Sequence, residues 1–209
     1  MMPLEQWRQE HGSNAGFPHS PKLYVHLGCG DRRLSGWLNL DVPNYDISRP
    51  LPWENESVDA YYLEHVIDKV SSEKVCGFFF EAFRSLKPGG MLRLAFRDVL
   101  SLAGTVTPAF RRYMKNKYPD TFIPSNEVGA ILAFYRQKSL WTVDLLTEIL
   151  KSAGFEVEVL DPGVSEHTHL QSLERRSDRD EHPFDLLGTV CMEAKKPAYR
   201  TQVRQAPAD

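Results

Sequence analysis

The sequence of 209 residues has few cysteines: Cys29, Cys76 and Cys191, which lie far apart. An odd, scattered set with no Cys-x-x-Cys pair argues against a disulfide framework and against a zinc ribbon. Reduced thiols are typical of the cytoplasm, where we expect this protein to be located. The sequence also lacks any apolar run long enough to cross a bilayer, and its first 16 residues are polar, unlike a signal peptide.

An excess of basic residues is absent too. There are 25 Lys and Arg against 28 Asp and Glu, which gives a formal net charge of −3. Proteins that bind nucleic-acid backbones usually carry a strong positive charge, so we expect no nucleic-acid partner and no membrane partner. His167 and His169 have a spacing that metal ligands use, but no carboxylate or thiol set supports them, and we predict no metal site. A small-molecule partner is expected, and a homodimer is compatible with the sequence.

What the sequence does contain is an alternation of short apolar segments with amphipathic helical segments. This alternation is typical of an α/β fold with a mostly parallel sheet. We predict one helix from Ser71 or Ser72 to about Leu86, and another that is capped by Thr142 and ended by Gly154. Strands are predicted at residues 22–27, 36–41, 45–47, 57–63, 91–96, 155–160 and 186–194.

The domain organisation follows from composition and from the positions of proline. We predict an N-terminal arm over residues 1–21, one domain over 22–196 and a flexible tail over 197–209. Residues 99–138 are rich in Phe and Tyr and are too long for a simple crossover, which predicts a helical insertion that could act as a lid. Residues 167–183 are strongly charged and predict an exposed loop.

The most informative segment is the end of the first strand, where an apolar run leads into Gly28-Cys29-Gly30. Glycine lets a ligand approach the backbone closely, and Asp41 at the end of the next strand could accept both hydroxyls of a ribose. Together they predict a nucleoside-cofactor pocket at the carboxyl edge of the sheet. Only about ten residues separate Gly30 from Asp41, so the usual intervening helix must be reduced or lost. Position 33 is Arg rather than Gly, which argues against a dinucleotide.

In their order along the chain, these segments resemble the motifs of class I S-adenosylmethionine-dependent methyltransferases. The matching segments are residues 26–30, Asp41, and residues 51–59, 63–67, 86–92 and 141–155. The shortened first crossover resembles a bacterial subgroup of predicted methyltransferases. The resemblance implies a three-layer α/β/α sandwich around a seven-stranded sheet of order 3-2-1-4-5-7-6, with the last strand antiparallel. It also implies S-adenosyl-L-methionine as the cofactor.

The resemblance further implies roles for individual residues. Gly28 and Gly30 would lie against the methionyl part of the cofactor, Asp41 would bind the ribose, and the segment after strand four would line the pocket. His65 is the candidate general base, since imidazole titrates near neutral pH. For Arg97 and Asp98 an ordinary ion-pairing role is the preferred interpretation. The full set of predicted cofactor contacts is Gly28, Cys29, Gly30, Asp41, Asp46, Ile47, Leu63 and Glu64, with Asp46 and Ile47 meeting the adenine.

The predicted function is methyl transfer by in-line displacement to a small-molecule acceptor, such as a sugar or another metabolite. Two alternatives remain open at this point. One is a protein that binds S-adenosylmethionine without catalysis, and the other is a nicotinamide-dependent oxidoreductase on a similar sheet.

Overall fold

A computed structural model describes residues 22–103, 107–117, 129, 136–174 and 188–198. The strands are β1 (Tyr24–Leu27), β2 (Leu38–Leu40), β3 (Val58–Glu64), β4 (Leu86–Arg97), β5 (Glu156–Leu160) and β6 (Thr189–Lys195). The helices are α1 (Ser72–Ser85), α2 (Val99–Ala103), α3 (Pro108–Lys117) and α4 (Val143–Ser152), and a 3₁₀ turn spans Ile67–Lys69. Within these ranges no helix is both long and apolar enough to cross a membrane.

The six strands form one sheet in the order β2-β1-β3-β4-β6-β5. The first four are parallel to one another, and β6 runs antiparallel to both β4 and β5. This is the predicted mostly parallel α/β sheet with its antiparallel last strand, without the predicted third strand. The described residues therefore give six strands rather than seven.

The missing strand is the one predicted at residues 45–47. The Tyr45 N–H donates to the Asp41 carbonyl at 2.9 Å, and the Asp46 Oδ1 atom accepts from the Ser48 N–H at 2.8 Å. Both bonds fold the backbone locally into turns, so it cannot pair as an edge strand. The prediction of a strand here was wrong because the turn-forming side chain of Asp46 outweighs the short apolar pattern.

Helices α1 and α4 pack on one face of the sheet and enclose the main hydrophobic core. Their buried residues recur at helical spacing, as predicted, and include Phe79 of α1 and Leu146 and Leu150 of α4. Leu145, which we expected in the buried stripe of α4, is 42% exposed. Helix α1 runs directly into β4, so the predicted turn at residues 87–90 lies inside the strand. Val58 pairs with Leu86 while Ala60 already pairs with Met91, which makes this part of β4 a bulge.

The opposite face is covered, in the described ranges, by residues 31–37 and 161–174 rather than by helices. Trp37, Leu170 and Leu173 pack there against Tyr62 of β3. The segment between β1 and β2 contains only turns, as its length predicts. The Asn39 side chain stabilises this segment, which has no helical hydrogen bonds. Its amide donates to the carbonyls of Leu34 and Trp37 at 2.9 and 2.8 Å.

Residues 167–174, the described part of the loop predicted to be exposed over residues 167–183, are exposed at some positions and buried at others. Glu174 is 5% exposed and forms a bidentate pair with the fully buried Arg93 at 2.7 and 2.8 Å. Arg93 also donates to Glu193 at 2.6 Å and to the Val164 carbonyl at 2.9 Å. A buried guanidinium requires such partners, so the apparently solvated segment is attached to the sheet.

Most of the described part of the insertion is helical, as predicted: α2 follows β4 directly, and α3 buries Phe110 completely. Residues 136–138 are not helical. The predicted arm over residues 1–21, residues 104–106, 118–128 and 130–135 of the predicted lid, and residues 175–187 lie outside the described residues. The same is true of the predicted tail beyond residue 198.

Candidate functional site

The candidate site lies at the carboxyl ends of β1, β2 and β3. Leu27 at the end of β1 pairs with Leu40 of β2 on one side and with Leu63 of β3 on the other. The chain leaves β1 toward β2 in one direction and continues from β3 to β4 in the other. Such a change of direction opens a crevice between the two central strands, where ligands of α/β proteins usually bind.

Gly28 begins the turn above this crevice. Its φ is +69°, and its N–H donates to the Leu40 carbonyl at 2.8 Å, which joins the turn to β2. A Cβ added to Gly28 would collide with the side chain of Val66. Both the backbone conformation and the lack of space therefore require glycine at this position.

Gly30 and Asp41 are in direct contact, as the sequence predicts. The Gly30 N–H donates to Asp41 Oδ2 at 2.6 Å, and the Val42 N–H donates to Asp41 Oδ1 at 2.7 Å. Each carboxylate oxygen keeps a second lone pair, and Asp41 is partly exposed. Only Asp41 Oδ2, at 3.9 Å, would lie within 4 Å of a Cβ on Gly30, so the space above this glycine is open. An open glycine backbone beside an accessible carboxylate fits a ribose-bearing cofactor.

The remaining predicted cofactor residues are more deeply buried or have partners within the protein. Burial raises the pKa of the Cys29 thiol, whose Sγ lies 3.4 Å from the Gly30 carbonyl. Ile47 and Leu63 are 5% and 1% exposed and belong to the main core. Only small parts of these two side chains are accessible to a ligand. Asp46 is partly exposed, and its Oδ1 accepts from Ser48.

Glu64 forms an ion pair that the sequence did not reveal. Its Oε2 lies 2.6 Å from Arg32 Nη1, and the two side chains are 6% and 22% exposed. The pair ties the loop after β1 to the end of β3. Arg32 gives no recognisable signal in the sequence, because the pairing depends on the path of a loop that has no regular structure.

His65 has a φ of +54° and is 6% exposed. Arg97 Nη1 lies 3.3 Å from His65 Nδ1, and Thr189 Oγ1 lies 3.5 Å from Nε2. Because a guanidinium only donates, Nδ1 must accept and Nε2 must carry the hydrogen of a neutral ring. Arg97 also faces Asp68 across 3.8 Å, in the ion-pairing role expected for it.

Asp98 acts as a helix cap. Its Oδ2 accepts from the Ser101 N–H at 2.7 Å in the first turn of α2, and its Oδ1 accepts from the Val143 N–H at 3.1 Å at the start of α4. The preferred ion-pairing interpretation of this residue is therefore replaced by a capping role.

The two histidines of the suspected metal spacing lie away from this edge, near the start of β1. His169 stacks on Tyr24 with ring centroids 4.6 Å apart. Among the described residues no group of three or more His, Cys, Asp or Glu side chains could hold a metal ion.

Comparison with known proteins identifies the fold. No protein-family model and no curated protein matches the chain. Phosphoethanolamine N-methyltransferase 2 of Haemonchus contortus, solved with S-adenosyl-L-methionine, superposes with a TM-score of 0.52 at 14% identity over 93% of this chain. The match covers 53% of that protein, so this chain spans about half its length.

A second solved structure is matched along almost its whole length. It is an S-adenosylmethionine-dependent methyltransferase of Mesorhizobium loti, with a TM-score of 0.50, 15% identity, 91% of this chain covered and 96% of the other. The chain thus has the class I fold of S-adenosylmethionine-dependent methyltransferases. At these identities the likeness describes the fold alone.

Proposed function

We propose that this protein is an S-adenosylmethionine-dependent methyltransferase that acts on a small-molecule acceptor. The main support is the convergence of Gly28, Gly30 and Asp41 at the crevice between β1 and β3, in a fold that such enzymes use. The domain organisation proposed from the sequence, with residues 99–138 acting as a lid, belongs to the same proposal.

In this proposal the residues of the crevice hold the cofactor, which supplies an electrophilic methyl group when bound. The open backbone at Gly30 meets the methionyl part, and the unused lone pairs of Asp41 accept from the ribose hydroxyls. Asp46 and Ile47 border the adenine. The protein's own task is to orient the acceptor and to exclude water, since a methyl transfer of this kind depends mainly on alignment.

Contacts within the protein restrict how Leu63 and Glu64 can contribute to the cofactor site. Leu63 contributes through its backbone, because its side chain is buried in the core. Glu64 is held by Arg32, so we propose that it fixes the loop after β1 beside the cofactor. His65 stays a candidate general base. To act, it must present a lone pair, and Nδ1 already faces Arg97.

The oxidoreductase alternative has less support. Dinucleotide sites place a pyrophosphate at the N-terminus of a helix that follows the glycine turn. In the described structure residues 28–37 form turns without a helix, and Arg33 occupies the position of the third glycine.

Calorimetric titration with S-adenosylhomocysteine tests the cofactor site. Asp41→Ala should weaken binding by about 1–3 kcal/mol, because the ribose hydroxyls of the ligand lose the carboxylate that accepts from them. The matched control is Asp161→Ala, which replaces an exposed aspartate in a distant turn. This variant should bind like the wild type. Equal affinity of Asp41→Ala and wild type would remove Asp41 from the site.

Transfer from labelled S-adenosylmethionine separates the remaining alternatives. Label entering a small-molecule fraction of a cell extract supports the proposal. Binding of the cofactor without transfer to any fraction would favour a non-catalytic binding protein. Thermal stabilisation by NAD but not by S-adenosylhomocysteine would favour the oxidoreductase, since a ligand stabilises the state that binds it.

A further inference from the structure

A second group of polar side chains, three of them buried and two partly exposed, lies at the same edge of the sheet, beyond β3 and β4. His65 follows β3, Arg97 ends β4, and Thr189 lies opposite Arg97 at the start of β6. Asp68 lies in the 3₁₀ turn, and Gln137 lies at the end of the predicted insertion. These five residues are called the polar cluster below: His65, Asp68, Arg97, Gln137 and Thr189.

The carboxylate of Asp68 has fewer donors than a buried charge needs. Its side chain is 1% exposed. Its Oδ2 atom accepts from Gln137 Nε2 at 3.0 Å, while Oδ1 is buried without a hydrogen-bond partner among the described residues. An unpartnered buried polar atom destabilises the folded state, and more so when it is charged. A donor from outside the described residues would remove that cost.

The side-chain oxygen of Gln137, beside Asp68, is in the same situation. Its Oε1 atom is also buried with no hydrogen-bond partner in the described structure. The orientation of this amide is fixed by its neighbour, because a reversed amide would place its oxygen against the carboxylate of Asp68. Two side chains that are hydrogen-bonded to each other therefore each have an acceptor without a donor among the described residues.

The charges around Asp68 determine which kind of hydrogen-bond donor fits beside it. Arg97 Nη1 and Lys69 Nζ each lie 3.8 Å from Asp68 Oδ2, so two cations already face this one carboxylate. A further ammonium group would meet their repulsion. Neutral O–H donors would satisfy both oxygens without adding charge.

The polar cluster adjoins the cofactor crevice and lies just below the surface. Val66, which covers Gly28, is two residues from Asp68 along the chain. Gln137 is partly exposed, so this part of the polar cluster is next to solvent. We propose that Asp68 and Gln137 bind the methyl acceptor, and that this acceptor is a neutral molecule rich in hydroxyl groups. This inference rests on the proposed function.

The test uses the full chain saturated with S-adenosylhomocysteine, and saturation-transfer-difference NMR to detect binding. The probes are three neutral polyols, D-glucose, D-galactose and glycerol, and their amino counterparts D-glucosamine, D-galactosamine and serinol. At least one neutral probe should bind, and should bind more tightly than its amino counterpart. Binding by no neutral probe, or stronger binding by the amino counterparts, would overturn the inference.

Two variants test the residues themselves. Asp68→Asn and Gln137→Met should each weaken the neutral probe about tenfold or more, the loss expected for a hydrogen bond to a buried acceptor. Affinity for S-adenosylhomocysteine should not change, and Asp161→Asn serves as the control. If Asp68→Asn does not fold, the partly exposed Gln137 still provides the test.

If the folded variants bound the neutral probe as tightly as the wild type does, the missing hydrogen-bond donor to Asp68 would be water and not the acceptor. That result would refute the inference. Binding of S-adenosylhomocysteine is measured in the same samples and separates the two proposals. If it fails in the wild type, the proposed function is wrong. If it succeeds while the neutral probes fail, only the present inference is wrong.

Discussion

Gly28 and Gly36 both have a positive φ, +69° and +79°, but their surroundings differ. A Cβ at Gly36 would meet nothing within 4 Å, whereas one at Gly28 would collide with Val66. Gly36→Ala should therefore cost only the backbone strain of a left-handed residue, about 1–2 kcal/mol. Gly28→Ala should cost about 1–3 kcal/mol more, the usual penalty of overpacking. Urea unfolding of the two variants measures the difference.

Shortening Val66 provides the control. In Gly28→Ala combined with Val66→Ala the collision is removed, so the extra cost should fall when it is measured as a double-mutant cycle. Equal stabilities of the two single glycine variants would contradict the role assigned to the contact with Val66.

The residue scale also shows what the sequence can reveal about a site. The contact between Asp41 and Gly30 could be predicted, because Asp41 follows an apolar strand at a recognisable distance from the glycine turn. The pairing of Glu64 with Arg32, the cap formed by Asp98 and the polar cluster could not. Each of them joins residues that are distant in the sequence, through loops whose paths no periodic pattern specifies.

At the scale of elements, two helix starts offer a matched comparison. The Thr142 side chain accepts from the Leu145 N–H at 3.2 Å and caps α4, whereas Ser71 precedes α1 with no capping bond from its side chain. Thr142→Ala should therefore destabilise the fold by about 1 kcal/mol. Ser71→Ala should change the free energy of unfolding by much less. Similar losses in both variants under urea would show that the caps are equivalent.

The helices α1 and α4 were predictable, whereas several of the connections were not. The apolar stripe of α1 and its polar start identify it in the sequence, and the pattern of α4 does the same. Residues 45–47 and 167–174 were misjudged because hydrophobicity and charge were taken as local properties. Asp46 turns its own backbone, and Glu174 is buried because Arg93, distant in the sequence, needs a partner.

On the scale of the whole molecule, the order of the strands came from the resemblance to a family and not from the residues alone. The alternation of strands and helices predicts a parallel sheet, but many orders satisfy it. The second face of the sheet was the least predictable part. Its strands carry buried polar residues, among them His26, Asn39 and Arg93, whose partners become visible only when the sheet is assembled.

His26 makes the acid stability of the whole molecule testable. It is 2% exposed, its Nδ1 lies 3.2 Å from Asn39 Oδ1, and burial lowers its pKa from 6.5 to about 4. Between pH 6.5 and 4, His26 is protonated in the unfolded chain but not in the folded chain. The free energy of unfolding therefore falls as the pH drops from 6.5 to 4. The full loss is on the order of 3 kcal/mol. His26→Gln should flatten this part of a stability profile measured by urea unfolding.

Glu174 titrates over a lower pH range than His26 and serves as an internal reference in the same stability profile. Burial alone would raise the pKa of Glu174, but the hydrogen bonds and charge of Arg93 outweigh it and hold the pKa below 4.5. The stability it contributes is complete above pH 4.5 and is lost as the pH falls through the lower folded value. This limb should persist in His26→Gln. A profile that keeps its full slope between pH 6.5 and 4 in that variant would show that another group titrates there.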